Sequence, residues 1–322
     1  MQQILRAALA ACGLAAASTC ALAQTPYPAA PITLVVPFAA GSGTDSVART
    51  LGQKLAERLG QPVLVDNRPG ANAQLGAQFV AKARPDGYTL FMATNTSHSA
   101  NPALYGNLKY DPIKDFTPVA RVGELPFALA VHPSVPARSL TELIAHARAH
   151  PGRLSYATPN STSLVAMESI KQITGIDILG VPYRSSPQAM ADLVGGQVQV
   201  YVVDLGSGRS MLTSDKLRTL GVTTTQPSAL LPGVPPIGRV VKGFDLTSWN
   251  GIFGPAGMPP GVVQRLHAEL QAVLAEKETQ DKLAQIGFQV WPSKTPEAFA
   301  RYVAEQLAHW RGLIQQAGIR PE

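Results

Sequence analysis

LVVPFAAGSGTDSVARTLGQKL, residues 34–55, carries the chain from a strand into a helix through a run of small residues. The strand is ITLVV at 32–36. After Ala39, Ala40, Gly41 and Gly43, the apolar positions Val47, Ala48, Leu51, Leu55 and Leu59 recur at helical spacing up to Gly60. This is the first half of a βαβ unit, and its turn also suggests chemistry. The first N–H groups of a helix have no partner inside it, and the helix dipole is positive there. With little side-chain bulk in front, an anion can reach that backbone without a dedicated cation. GSG is not a dinucleotide fingerprint, because Asp45 and Ser46 follow where G-x-G-x-x-G needs glycine, and the Gly-Lys-Ser/Thr of a Walker loop is missing. The alternative is an ordinary capped helix start, with Thr44 or Asp45 as the cap.

Outward from this unit the alternation continues. PVLVD (62–66) reads as a second strand, NRPGANAQLGA turns into a helix ending near Lys82, and YTLFMA (88–93) reads as a third strand. Strands separated by helices imply a parallel sheet with right-handed crossovers. The pattern then restarts. FALAV (127–131), LSYAT (154–158), VQVYVVD (198–204) and LRTLGVT (217–223) read as strands. Helices are expected at 139–150, where Ser139 and Glu142 form a capping box, at about 163–174, and over SPQAMADLVGG. The expected fold is α/β, in two domains. The tail adds a long helix at about 262–283 and another at about 296–317. With no third sheet to cover, both are expected to return to the first domain and make it discontinuous.

With 27 Lys and Arg against 21 Asp and Glu, the excess of positive charge is small and dispersed. There is no basic block and no basic stripe with interleaved aromatics, which argues against a nucleic-acid partner. Residues 1–23 read as a secretory signal peptide. Arg6 precedes an apolar run to about Ala17, and Ala21 and Ala23 take the small-residue positions of a cleavage site. Cleavage near Ala23 implies a periplasmic mature chain. Both cysteines, Cys12 and Cys20, fall in the removed part, so no disulfide, thiolate metal site or cysteine nucleophile is expected.

Five polar loops follow strand ends, where ligands bind in open α/β sheets. The first spans Phe38, Ala39, Ala40, Gly41, Ser42, Gly43, Thr44 and Asp45. The second holds Thr158, Asn160, Ser161, Thr162 and Ser163 ahead of another helix start. The third offers Asn95, Ser97 and His98, the fourth Tyr183 and Arg184, and the fifth Asp204. Arg184 reads as a bidentate carboxylate clamp or as a surface arginine. His98 is a donor to a ligand or part of the loop's structure. Asp204 receives a ligand's amine or hydroxyl, or caps the next turn. Catalytic signatures are missing, with no G-x-S-x-G elbow and no H-E-x-x-H. His146 and His150 are spaced for a metal pair but lack a third ligand, and a solvated helix face is the better reading. No catalytic residue, metal or cofactor is assigned.

Seven segments occur in order: YPAAPITLVVPFAAGSGTD, VDNRPGANAQLGA, ARPDGYTLFMAT, NPALY, VPYRSSPQAMADLVGGQV, KLRTLGVT and WNGIFGPAGMP. Together they resemble the Bug, or tripartite tricarboxylate, extracytoplasmic solute-binding receptors, from about Tyr27 to the C-terminus. The resemblance implies a type II-like periplasmic binding protein with a ligand cleft between its domains. Two α/β domains, residues 24–124 with 245–322 and residues 125–244, close like a Venus flytrap. It implies a small carboxylate ligand, such as an organic acid, an acidic amino acid or an aromatic acid. One carboxylate is expected between the loops 38–45 and 158–163, with Asp204 near the cleft. The implied partners are the membrane permease subunits of a tripartite tricarboxylate transporter. A sensor kinase is the alternative partner, and a secreted α/β enzyme the remaining alternative. A monomeric mature protein is expected. Two loops depart from the family pattern. AAGSGTD stands where PPGGPTD is usual, and TPNSTSLV where a longer, glycine-rich loop is followed by His-Leu. Pro159 also removes one backbone donor. The identity of the ligand therefore does not carry over.

Overall fold

The computed structural model describes residues 27–244, 246 and 248–321. The signal peptide reading, with Cys12, Cys20 and the cleavage site at Ala23, lies outside the described residues, as do the domain limits at 24, 245 and 322.

The chain opens with β1 (Ile32–Val36), α1 (Gly43–Leu59), β2 (Val63–Asn67), α2 (Gln74–Ala81) and β3 (Thr89–Thr94). A π-helical turn (Thr96–Ala100) runs into α3 (Asn101–Leu104), where the sequence suggested a polar loop, and β4 (Phe116–Glu124) follows. The second series is β5 (Phe127–Val131), α4 (Leu140–Ala149), β6 (Ser155–Thr158), α5 (Ser161–Thr174), β7 (Leu179–Pro182), α6 (Ser186–Val194), β8 (Val200–Asp204), α7 (Leu205–Leu212) and β9 (Arg218–Val222). The chain returns as β10 (Trp249–Pro255), α8 (Pro260–Ala275), α9 (Lys277–Gln285), β11 (Gln289–Val290) and α10 (Pro296–Gln316).

These strands make two sheets, β11-β4-β10-β3-β1-β2 and β7-β6-β8-β5-β9. The alternating βα units supply parallel triplets, β3-β1-β2 and β7-β6-β8. Each sheet also takes one antiparallel strand into its interior, β10 in the first and β5 in the second. Both are the first strand after the chain crosses between sheets, so they enter from the opposite end. The first sheet is therefore mixed, not parallel as the alternation alone implied.

β10 escaped the sequence reading because glycine interrupts WNGIFGP. Glycine weakens a strand signal but admits close packing. A Cβ on Gly251 would overlap the Phe299 ring, and one on Gly254 would overlap the Met258 sulfur. The helix expected over 262–283 is two helices, because Glu276 between them is extended (φ −67°, ψ 126°). The break lets Leu270 and Leu274 of α8 and Leu283 of α9 all enter the core around α1. Arg58 (to Glu269, 2.6 Å) and Lys54 (to Glu278, 2.8 Å) tie the three helices together outside it.

α10 serves both sheets. Phe299 and Val303 pack with Phe91, Trp249 and Phe253 of the first sheet. Trp310 and Ile314 lie in the cluster of Leu129, Tyr156 and Val200 of the second. Among the described residues, no helix is long and apolar enough to cross a membrane.

Candidate functional site

Three helices start at strand ends around one cleft between the sheets, and each is capped by a short polar side chain. Ser42 caps α1, its Oγ accepting from the Asp45 N–H (3.2 Å). The cap is thus neither Thr44 nor Asp45, and the helix begins earlier than the sequence suggested. Asn160 caps α5, its Oδ1 accepting from the Ser163 N–H (3.0 Å), so that helix begins at Ser161. Asp204 caps α7, accepting from the Ser207 N–H (2.7 Å) and Oγ (2.6 Å). A cap of this kind satisfies the third N–H of a helix and leaves the first two. Accordingly the N–H groups of Gly43, Thr44, Ser161, Thr162 and Gly206 have no partner among the described residues.

Gly43, Thr44, Thr162 and Asp204 line an inner cavity of about 20 Å³, with Phe38, Ser42, Asn95 and Asn160. That is room for about one water molecule. Phe38 and Asn160 also line an outer chamber of about 890 Å³, with Ala39, Thr158, Tyr183 and Arg184. The two faces of the cleft touch directly. Asn95 Nδ2 donates to Thr162 Oγ1 (2.8 Å), and Asn72 Nδ2 to Ser161 Oγ (2.6 Å). α1 and α7 meet nose to nose at glycine, where a Cβ on Gly43 would overlap the Asp204 carboxylate and crowd Gly206.

The charges at this site have opposed settings. Asp204 is the charged residue of the inner cavity, and burial pushes its carboxyl above the usual range against the pull of Ser207. Arg184 is the charged residue of the outer chamber; it is exposed and has no partner among the described residues. The Tyr183 hydroxyl is already committed, donating to Asp192 (2.9 Å).

Several residues singled out from the sequence face elsewhere. The Asp45 carboxylate accepts from the Gly41 N–H (2.9 Å), Asn67 (2.8 Å) and Arg49 (3.0 Å) and shapes the loop from behind. Burial alone would raise it, but Arg49, Gly41 and Asn67 together hold it below the usual carboxylate range. Ala40 and Gly41 are exposed and line neither space. The Ser163 hydroxyl donates to the Val202 carbonyl (2.7 Å) within the second sheet's layer. The Ser97 hydroxyl donates to the Thr94 carbonyl (3.1 Å).

His98 is the clearest correction. Its ring is fully buried between Phe253 (4.3 Å) and Phe116 (4.6 Å), and burial drives its pKa down to about 3. It is a neutral core residue, because a π-helical turn rotates it inward where a loop had been expected. Among the described residues there is no group of three side chains fit to hold a metal ion.

The structure adds residues the sequence did not single out. Thr94, Thr96, Ser186 and Ser248 line the inner cavity, and Asn72 lines the outer chamber. Ser248 Oγ donates to Asn95 Oδ1 (2.8 Å) and orients its amide toward Thr162. Thr94, Thr96 and Ser186 lie within the third and fourth polar loops, and Asn72 stands two residues after Gly70 in a turn.

Residues 47–319 match the family described as tripartite tricarboxylate transporter family receptor. A UPF0065 protein of Bordetella bronchiseptica is 36% identical over 310 residues, spanning 96% of this chain and 91% of that one. The solved structure of R. palustris Rpa4515 with adipate superposes with a TM-score of 0.89 at 34% identity, covering 92% of this chain and 100% of that one. MatC (Rpa3494) from Rhodopseudomonas palustris with bound malate gives a TM-score of 0.83 at 31% identity, covering 89% and 100%.

Proposed function

The chain belongs to the tripartite tricarboxylate transporter receptor family, and on that premise we propose that it is a periplasmic receptor for a small carboxylate, which it hands to membrane permease subunits. The single observation that carries the ligand class is the convergence of unpartnered helix N–H groups, from Gly43, Thr44 and Thr162, on one cavity in the cleft. Helix starts brought together favour an anion beside them, and burial pushes the neighbouring Asp204 carboxyl toward its neutral form. Adipate and malate in the two solved relatives support the same class.

The two spaces suggest how such a ligand sits. The inner cavity takes a water-sized group at most. A ligand carboxylate then lies at the lip that Phe38 and Asn160 share between the two spaces. The remainder extends into the outer chamber, whose volume is of the size that holds a small molecule. Arg184 meets the ligand's far end. The ligand favours the closed arrangement because, through a water in the inner cavity, it is joined to both helix starts at once only when the cleft is shut. Catalysis has no part in this reading, which needs binding and release alone. The leader read at residues 1–23 supplies the route to the periplasm.

Purified protein, refolded to strip any carried ligand, tests this with a panel of mono-, di- and tricarboxylates and acidic amino acids. At a hundredfold excess over Kd, a true ligand stabilises by about 2.7 kcal/mol and raises Tm by several degrees. A flat response to the whole panel overturns the carboxylate assignment.

A further inference from the structure

We propose that Asn72 is a latch between the two sides of the cleft, so that the closed arrangement is favoured by a contact that no ligand makes. The latch belongs to the protein alone; only its effect on affinity rests on the carboxylate reading above.

Ala71, Asn72 and Ala73 have φ of 45°, 52° and 71°, three successive residues in the left-handed region. They are the non-glycine residues with positive φ among those described. Side chains bearing a Cβ avoid this region, visit it singly, and persist there when their surroundings hold them. What holds this loop is a circuit of three side chains. Asn101 Nδ2 donates to the Asn72 carbonyl (2.7 Å), and Asn72 Nδ2 donates back to Asn101 Oδ1 (3.0 Å). The second hydrogen of the Asn72 amide crosses the cleft to Ser161 Oγ (2.6 Å). Ser161 Oγ in turn donates to Asn101 Oδ1 (3.3 Å), which closes the ring.

The residue types fit this task. Asparagine tolerates the left-handed region better than other side chains, and its amide carries two donors. Ser161 and Asn101 are fully buried, so opening the cleft separates groups that the closed form satisfies inside the protein. Ser161 is also the first residue of α5, and the bond therefore fixes the helix start that faces the cleft. Asn95 makes the neighbouring bond to Thr162, so two successive residues of α5 are held from the opposite side. Asn101 grips the loop at the Asn72 carbonyl and amide, which makes the loop a preformed receiver for Ser161.

The test uses full-length mature protein, stripped of ligand, as wild type, Asn72→Gly, Ser161→Ala and the double variant. Small-angle X-ray scattering reads how open each is, and thermal melting reads its stability. Glycine accepts the loop's φ values, which offsets part of the lost bonding, so Asn72→Gly should stay folded with a melt close to wild type while the scattering shows a more open molecule. The double variant should open no further than Ser161→Ala, which already removes both the bond from Asn72 and the bond to Asn101. For a carboxylate that binds wild type, each variant should lose about three- to tenfold in affinity. Scattering identical to wild type for Asn72→Gly, or effects of the two substitutions that simply add, overturns the latch. If the variants open as expected while no carboxylate binds any form, the latch stands and the carboxylate reading falls.

Discussion

Two aspartates at helix starts show how the same residue type serves opposite ends. Asp45 is held below the usual carboxylate range by Arg49, the Gly41 N–H and Asn67, and shapes its loop from outside the cleft. Asp204 is pushed up by burial, beside the glycine contact that closes the cleft. A carboxyl raised in the folded state binds its proton more tightly there than in the unfolded chain. It favours folding below the ordinary carboxylate pKa and loses that contribution as pH rises through its folded value. Asp204→Asn keeps an N-cap acceptor and removes the buried charge. It should raise the Tm of ligand-free protein at pH 7 by about 2–4 °C, for about 1 kcal/mol, and the gain should vanish near pH 3.5. A gain that persists unchanged in acid would show that charge is not the cause. The polar loops at strand ends were legible in the sequence, since they rest on residue type and on position after a strand. The facing of each side chain was not. His98 and Ser97 share their segment with Asn95, yet a π-helical turn sends the first two inward and leaves Asn95 at the cleft.

Elements were read well where periodicity was strong and badly where tertiary contact replaced it. β1, α1 and β5 follow directly from apolar spacing and a closing glycine or turn. β10 carries glycines that only the Phe299 ring and the Met258 sulfur explain, and the break at Glu276 serves packing on α1. The meeting of α1 and α7 is likewise a tertiary fact, and it makes a sharp prediction. Gly43→Ala adds one methyl at a helix start that is tolerant of alanine in isolation. That methyl meets Asp204 and Gly206 across the cleft and Leu125 of the core around α1. The variant should lose about 1–3 kcal/mol to overpacking and bind any carboxylate ligand at least about tenfold more weakly. Unchanged affinity would mean that the two helix starts do not need to approach.

Across the whole molecule, α10 links the two sheets by a route separate from the strands that cross between them. Its first half packs on the first sheet and Trp310 is buried in the core of the second. Trp310→Ala should cost about 3–5 kcal/mol. Because the lost contacts hold one sheet's layer to a helix anchored on the other, calorimetry should show the single transition broadening or splitting. A uniform shift of one sharp transition would mean that the sheets are coupled by other contacts.

By itself the sequence determined two α/β units, their strand and helix order, small-residue turns at helix starts, and the kinship with solute receptors. These follow from periodicity and local backbone chemistry, which act over a few residues. Only the tertiary structure decided the antiparallel strand inside each sheet, the inward turn of His98, the glycine contact between α1 and α7, and the bond from Asn72 to Ser161. Those depend on which surfaces meet when distant segments close together. A chain's local pattern constrains what each segment forms, but leaves open which neighbour it faces.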